Sequence, residues 1–229
     1  MSKVIYFDTE TTGLDPVKND IIQLACIIEI DNQVVDEFEF KIKPFDFQNI
    51  SQEALDVHGY TLEMLREFPG HDIIYNQLIA KLSKYIDRYD KNDKFIPAGF
   101  NVKFDMDFLK QFFIKNQDVY FGSYFSYRFV DPLYFIYFLN YCNTINLPNY
   151  KLITVCEHYG IGISAHDALS DIRATRQLIK LFVNKFIVKN DSSKLTQLGY
   201  MVFNGDVVLN EFLSSDINFK KAKELIESI

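Results

Sequence analysis

The chain begins with short apolar segments of the length and alternation that strands show, and about fifty residues in it changes to helical spacing. Lys3 to Phe7 is a short run of β-favouring residues and Ile21 to Ile30 is a longer one. Val34 to Lys43 alternates through Phe38, Phe40 and Ile42, as a half-buried strand does. The polar insert Asp31-Asn32-Gln33 between the last two predicts a hairpin. Ser51 and Thr61 are then suited to cap two short helices, the second ending before Pro69-Gly70. Ile74, Leu78, Leu82 and Tyr85/Ile86 predict a longer helix over about Ile73 to Tyr89. A short strand, Phe95 to Ala98, precedes a helix over Val102 to Lys115, and another helix follows Pro132, a residue suited to a first helical turn. Leu152 to Tyr159 reads as a helix stopped by Gly160, and Ala168 to Lys189 as a long one. Three strands followed by alternating helices and a strand predict an α/β fold, a mixed β-sheet flanked by helices. The polar stretch Asn190 to Ser193 marks a boundary between a domain over 1–190 and an extension over 191–229. In that extension Asn204-Gly205 predicts a hairpin within Tyr200 to Asn210, and Phe219 to Ile229 a helix.

Composition narrows the class. At 229 residues and 48% apolar the chain can bury a real core. The opening MSKVIYFDTE has no cationic stretch ahead of a long apolar run, and no later segment reads as a bilayer span, so a soluble cytoplasmic protein is expected. Cys26, Cys142 and Cys156 are an odd number without CxxC spacing, which predicts reduced thiols packed as small apolar residues. A net charge of −7 argues against a wide basic surface for gripping nucleic acid. It fits equally with carboxylates gathered around divalent cations, which prefer oxygen ligands.

Three acidic clusters are candidates for that role. In Phe7-Asp8-Thr9-Glu10-Thr11-Thr12-Gly13-Leu14, Asp8 and Glu10 lie two apart at the end of a strand, so both side chains leave one face. The glycine that follows would let the backbone approach a ligand closely. Such a pair would serve equally as a solvated acidic strand end. Asp105 stands at the start of a helix just past the next strand; Asp107 competes with it, but reads more simply as an acid favoured near a helix N-terminus. In His166-Asp167-Ala168-Leu169-Ser170-Asp171, Asp171 lies in the first turns of the long helix, Asp167 is an N-terminal helix acid, and His166 sits on the loop before it, where a group titrating near neutrality can move a proton. Four acids and a histidine can together support two-metal phosphodiester hydrolysis.

The blocks FDTETTGL, NVKFDMDFL and HDALSD, in that order, resemble the three motifs of the DEDD exonucleases, specifically the DnaQ-like subgroup whose last motif carries histidine and which includes the proofreading exonuclease of bacterial replicative DNA polymerase. Ser51 to Leu65 and Lys151 to Ile161 are similar to further segments of that family, so the resemblance covers about Lys3 to Lys189. Phe100 departs from it, since many relatives carry histidine there, and nothing beyond Asp191 matches. The resemblance implies a ribonuclease H-like fold and hydrolysis of single-stranded 3′ ends in the 3′ to 5′ direction, releasing nucleoside 5′-monophosphates. Two magnesium or manganese ions would be held by Asp8, Glu10, Asp105 and Asp171, with His166 taking the proton of the attacking water. Thr11, Thr12, Gly13, Leu14, His58, Asn101 and Phe104 would contact the terminal nucleotides, although for Leu14 and Phe104 core packing is a serious rival. DNA is the expected substrate and RNA the alternative; a DNA polymerase subunit is an expected partner, a membrane is not. The tail could be a docking element. Gln177 to Phe182 loosely resembles a clamp-binding peptide, but its place inside a helix reads as core.

Overall fold

The computed structural model describes residues 2–163 and 167–184. Four strands form one sheet in the order β3-β2-β1-β4, with β1 Lys3–Thr11, β2 Ile21–Ile30, β3 Gln33–Lys41 and β4 Ile96–Ala98. β1 and β2 run antiparallel in register from Lys3 opposite Ile30 to Glu10 opposite Gln23, with a bulge just beyond. β2 and β3 form the expected hairpin, turning on Asp31 and Asn32, both at positive φ (47° and 67°). Asp and Asn tolerate that left-handed backbone, which a two-residue turn between twisted strands requires. β4 runs parallel to β1, which makes the sheet mixed.

Helices cover both faces. α1 (Gln52–His58) and α2 (Leu62–Glu67) start as expected: the Ser51 hydroxyl accepts from the Ala54 amide and the Thr61 hydroxyl from the Met64 amide. α3 spans His71–Ser83, α4 Val102–Lys115, α5 Pro132–Tyr141, α6 Leu152–His158 and α7 Ala168–Phe182. Alternation along β1 sorts these helices into layers. Ile5 and Phe7 pack in one cluster with Ile74, Leu78 and Leu82 of α3 and Phe108, Leu109 and Phe112 of α4. Tyr6, from the intervening row, packs with Ala25, Ile27 and Ala98 against Ala168, Ile172 and Ile179 of α7. A third cluster joins α5, α6 and α7 through Phe135, Ile136, Val155, Leu178 and Phe182. β2 is buried along nearly its whole length because both faces are covered.

Two element boundaries differ from the pattern. β1 runs on to Thr11 rather than ending near Phe7, so Asp8 and Glu10 lie within a paired strand. α3 ends at Ser83, six residues before Tyr89; the Asp87 amide, which would continue the helix by donating to Ser83, donates instead to the Asp93 carboxylate at 2.9 Å. Side-chain acceptors of that kind compete with helix continuation. α7 follows the expected helix from Ala168 to Phe182, and most of its expected remainder lies outside the described residues. The boundary at 190–193, the second hairpin and the last helix lie outside them. All three cysteines are free and buried. Leu178, Ile179 and Phe182 of the clamp-like stretch are buried core. No helix among the described residues is long and apolar enough to cross a membrane.

Candidate active site

Continuing the two rows along β1 past Phe7 places Asp8 and Glu10 in the row that faces α7, and Thr9 in the row that faces α4. Asp171 enters from the first turn of α7, whose N-terminus is capped by Asp167: its carboxylate accepts from the Ser170 amide at 3.0 Å. Asp105, 4% exposed, arrives from the opposite layer on the first turn of α4. Oδ1 of Asp105 accepts from both the Thr9 amide (2.9 Å) and the Thr9 hydroxyl (2.6 Å), tying α4 to the strand that carries Asp8 and Glu10. Asp107, read from the sequence as an acid favouring the helix start, instead pairs with Lys103 one turn away at 2.5 Å.

The acids disturb one another. Burial, followed by the charges of Asp105, Asp171, Glu10 and Asp167, holds the Asp8 carboxyl well above the usual carboxylate range. Burial, then Asp171 and Asp167, raises Glu10 to about 7. Asp105 is also raised to about 7, chiefly by burial and against the pull of its Thr9 hydrogen bonds. Four carboxylates therefore share a poorly solvated region in which each charge opposes the next, the condition a bound cation relieves. As placed, no three Asp, Glu, His or Cys side chains among the described residues enclose a single ion. The fit to divalent metal rests on the all-oxygen donor set and on this mutual repulsion, which an entering cation would turn into attraction. His166 lies outside the described residues.

Beside the acids opens a cleft of about 470 Å³, lined by Thr9, Glu10, Thr11, Gly13, Leu14 and Phe104 on one side and by Ser51, Glu53, Ala54, Val57 and His58 of the α1 segment on the other. Leu14 is 84% exposed at this cleft, so core packing does not account for it, whereas Phe104 is half-buried and packs against Phe108 with the rings tilted at 46°. His58 accepts from the Tyr60 amide through Nδ1, which leaves the ring proton on Nε2 when neutral; burial keeps its pKa low. Thr12 and Asn101 do not line the cleft. Thr12 is 1% exposed, its hydroxyl accepting from the Asp20 amide and its carbonyl from the Ser51 amide. Gly13 has a local reason to lack a side chain: a Cβ there would stand 2.5 Å from Oδ1 of Asn19.

One organising residue gave no signal in the sequence. Asp131, 5% exposed, caps α5 by accepting from the Leu133 amide and also accepts from the Asn101 and Val102 amides at the start of α4. Asn101 adopts a left-handed backbone (φ 60°) in making this junction. A single carboxylate thus joins two helix N-termini, one of which carries Asp105; burial raises it to about 6 despite these three bonds. Asp131 lies thirty residues from Asn101, which hides this tie to α4 from any local pattern.

An acid-lined sheet end beneath an open cleft, in a mixed sheet covered on both faces, defines a class, and the family model described as "Exonuclease" matches residues 5–179. The chain belongs to this exonuclease family, in the DEDD superfamily, as the motif resemblance implied. Among curated relatives it is 31% identical over 198 residues to the PolC-type DNA polymerase III of Oceanobacillus iheyensis, covering 86% of this chain and 12% of that one. Against the PolC-type DNA polymerase III of Thermotoga petrophila it is 28% identical, covering 85% of this chain and 13% of that protein. Among solved structures, Escherichia coli exonuclease I in complex with a dT13 oligonucleotide superposes with a TM-score of 0.67 at 20% identity, over 86% of this chain and 46% of that one. That likeness bears out the ribonuclease H-like fold. The chain therefore spans only a small part of the polymerases it matches and under half of exonuclease I.

Proposed function

We propose that the protein is a metal-dependent 3′–5′ exonuclease that removes nucleotides from single-stranded 3′ ends of DNA and releases nucleoside 5′-monophosphates. The observation that carries this reading is the gathering of Asp8, Glu10, Asp105 and Asp171 from β1, α4 and α7 at the edge of an open cleft, with their charges in mutual opposition. Two magnesium or manganese ions, when bound, would supply the positive charge that offsets the attacking and departing oxygens. Asp8, Glu10, Asp105 and Asp171 are the residues that would hold them. His166, which precedes Ala168 by two positions in the sequence, would accept the proton of the attacking water. Leu14 and Phe104 offer apolar surface on which a base can lie without being identified, which suits an enzyme that must accept every nucleotide. Thr11, Gly13 and His58 contribute polar groups along the same cleft, while Thr12 and Asn101 act by holding its walls.

Two further features support DNA and a role beside a polymerase. The relatives named are PolC-type DNA polymerases, and the structural neighbour was solved with a dT13 oligonucleotide. Residues 191–229 serve as a docking element for such a partner in this reading, which a pull-down with and without them would test. The decisive assay follows 5′-labelled single-stranded, mismatched and paired DNA beside matched RNA in magnesium or manganese. Stepwise shortening from the 3′ end of DNA is expected, and its loss in Asp8→Ala. No shortening with either metal would overturn the assignment, and a strong preference for RNA would move it to RNA trimming.

A further inference from the structure

The strand residue between the two acids of β1 has a task of its own. Thr9 is 8% exposed and faces α4, away from Asp8 and Glu10. Its amide and its hydroxyl converge on the same oxygen, Oδ1 of Asp105, at 2.9 and 2.6 Å. A carboxylate held at one oxygen by two donors from a rigid strand has its plane and its second oxygen fixed, and Oδ2 is left for an incoming cation. The amide bond would be made by any residue at this position, but the hydroxyl bond requires Thr or Ser. Asp105 comes from the opposite layer to Asp8 and Glu10, so without such a tie its orientation relative to them would depend on the packing of α4 alone.

We infer that Thr9 is a positioning residue for metal binding: its hydroxyl sets the orientation of the Asp105 carboxylate beside the strand that carries Asp8 and Glu10. This rests on the reading of Asp105 as a ligand. Deleting a hydrogen bond to a metal ligand typically lowers affinity about 10- to 100-fold.

The test titrates Mn²⁺ alone into the purified full-length chain by calorimetry, without nucleic acid, for the native protein, Thr9→Val, Thr9→Ser and Asp105→Ala, with thermal unfolding of each metal-free protein alongside. Thr9→Val should weaken Mn²⁺ binding about 10- to 100-fold while Thr9→Ser, which keeps the hydroxyl, stays within about threefold of native. Should Thr9→Val not fold, Thr9→Ala removes the same hydroxyl with less bulk and carries the same expectation. Native Mn²⁺ affinity in the folded hydroxyl-free variant, together with loss of binding in Asp105→Ala, would overturn the role of Thr9 and leave the metal site standing. Native affinity in Asp105→Ala would instead remove Asp105 from the site. A lowered melting temperature with unchanged affinity would make the contact a strand-to-helix tie only.

Discussion

Two groups of acids around the same sheet are treated in opposite ways. Glu29 on β2, 3% exposed, is met by Arg176 at 2.7 Å and Lys180 at 2.6 Å from α7, and Asp20, also 3% exposed, is met by Lys115 at 2.6 Å from α4. Asp8, Glu10 and Asp105 take part in no ion pair among the described residues, although the same two helices supply cations a few turns away. A fold that supplies cations to its structural acids and withholds them from one cluster has left that charge for something else. Buried carboxylates without a cation cost stability, and such a cost persists at sites where the charge is used.

The sharpest way to break this comparison is to neutralise one acid in each group. Asp8→Asn should lower exonuclease turnover about 1,000-fold or more, the scale expected when several kcal/mol of charge stabilisation is lost. The same change should raise the stability of the metal-free protein, since it removes a carboxyl whose ionisation burial and its acidic neighbours oppose. Glu29→Ala should do the reverse, lowering stability by about 2 to 3 kcal/mol in denaturant unfolding by stranding Arg176 and Lys180, while turnover per folded molecule holds. If both variants lost stability, the two groups would not differ in kind. Asp131→Ala, which leaves three backbone amides at two helix starts without their acceptor, should cost about 2 kcal/mol and, through α4, also weaken the Mn²⁺ response.

The pH dependence sharpens the contrast. Glu10 and Asp105 keep their protons to about pH 7 in the metal-free fold, whereas the unfolded chain releases them near ordinary carboxylate values. Their contribution to stability is present below the unfolded pKa and is lost as pH rises through about 7, so the melting temperature should be higher at about pH 5 than at about pH 8. Saturating magnesium should flatten or reverse that trend. Asp93 acts in the opposite sense: its hydrogen bond to Lys3 holds it below the usual range, and its contribution fades as pH falls. The smallest change expected is at the cleft rim. Leu14→Ala, at an 84% exposed position, should leave unfolding unchanged and raise KM for DNA about three- to tenfold.

The strand segments and the β2–β3 hairpin, most helix boundaries and the three motif blocks were legible because each depends on residues close together in the chain, whereas the strand order, with β4 beside β1, was not. The hairpin at Asp31-Asn32, the caps at Ser51 and Thr61, and the surface pairing of Asp107 follow from local chemistry alone. The early end of α3 was not legible from periodicity, since Asp93 takes the Asp87 amide through a side chain that a hydrophobic pattern ignores. Thr12 was expected at the nucleotide, yet its hydroxyl and carbonyl serve the Asp20 and Ser51 junctions, while Asn101 gives its backbone amide to Asp131 and keeps an exposed side chain.

By itself, then, the sequence determined which acids are candidates and on which elements they ride, because motif spacing and strand alternation are properties of neighbours. Only the tertiary structure decided that Asp105 reaches Asp8 and Glu10 from the opposite layer, that Thr9 fastens it, and that Asp131 joins α4 to α5. Those contacts join residues about thirty to ninety-six positions apart, and no local pattern encodes which buried donor a carboxylate will meet once the sheet and its two helical layers have closed.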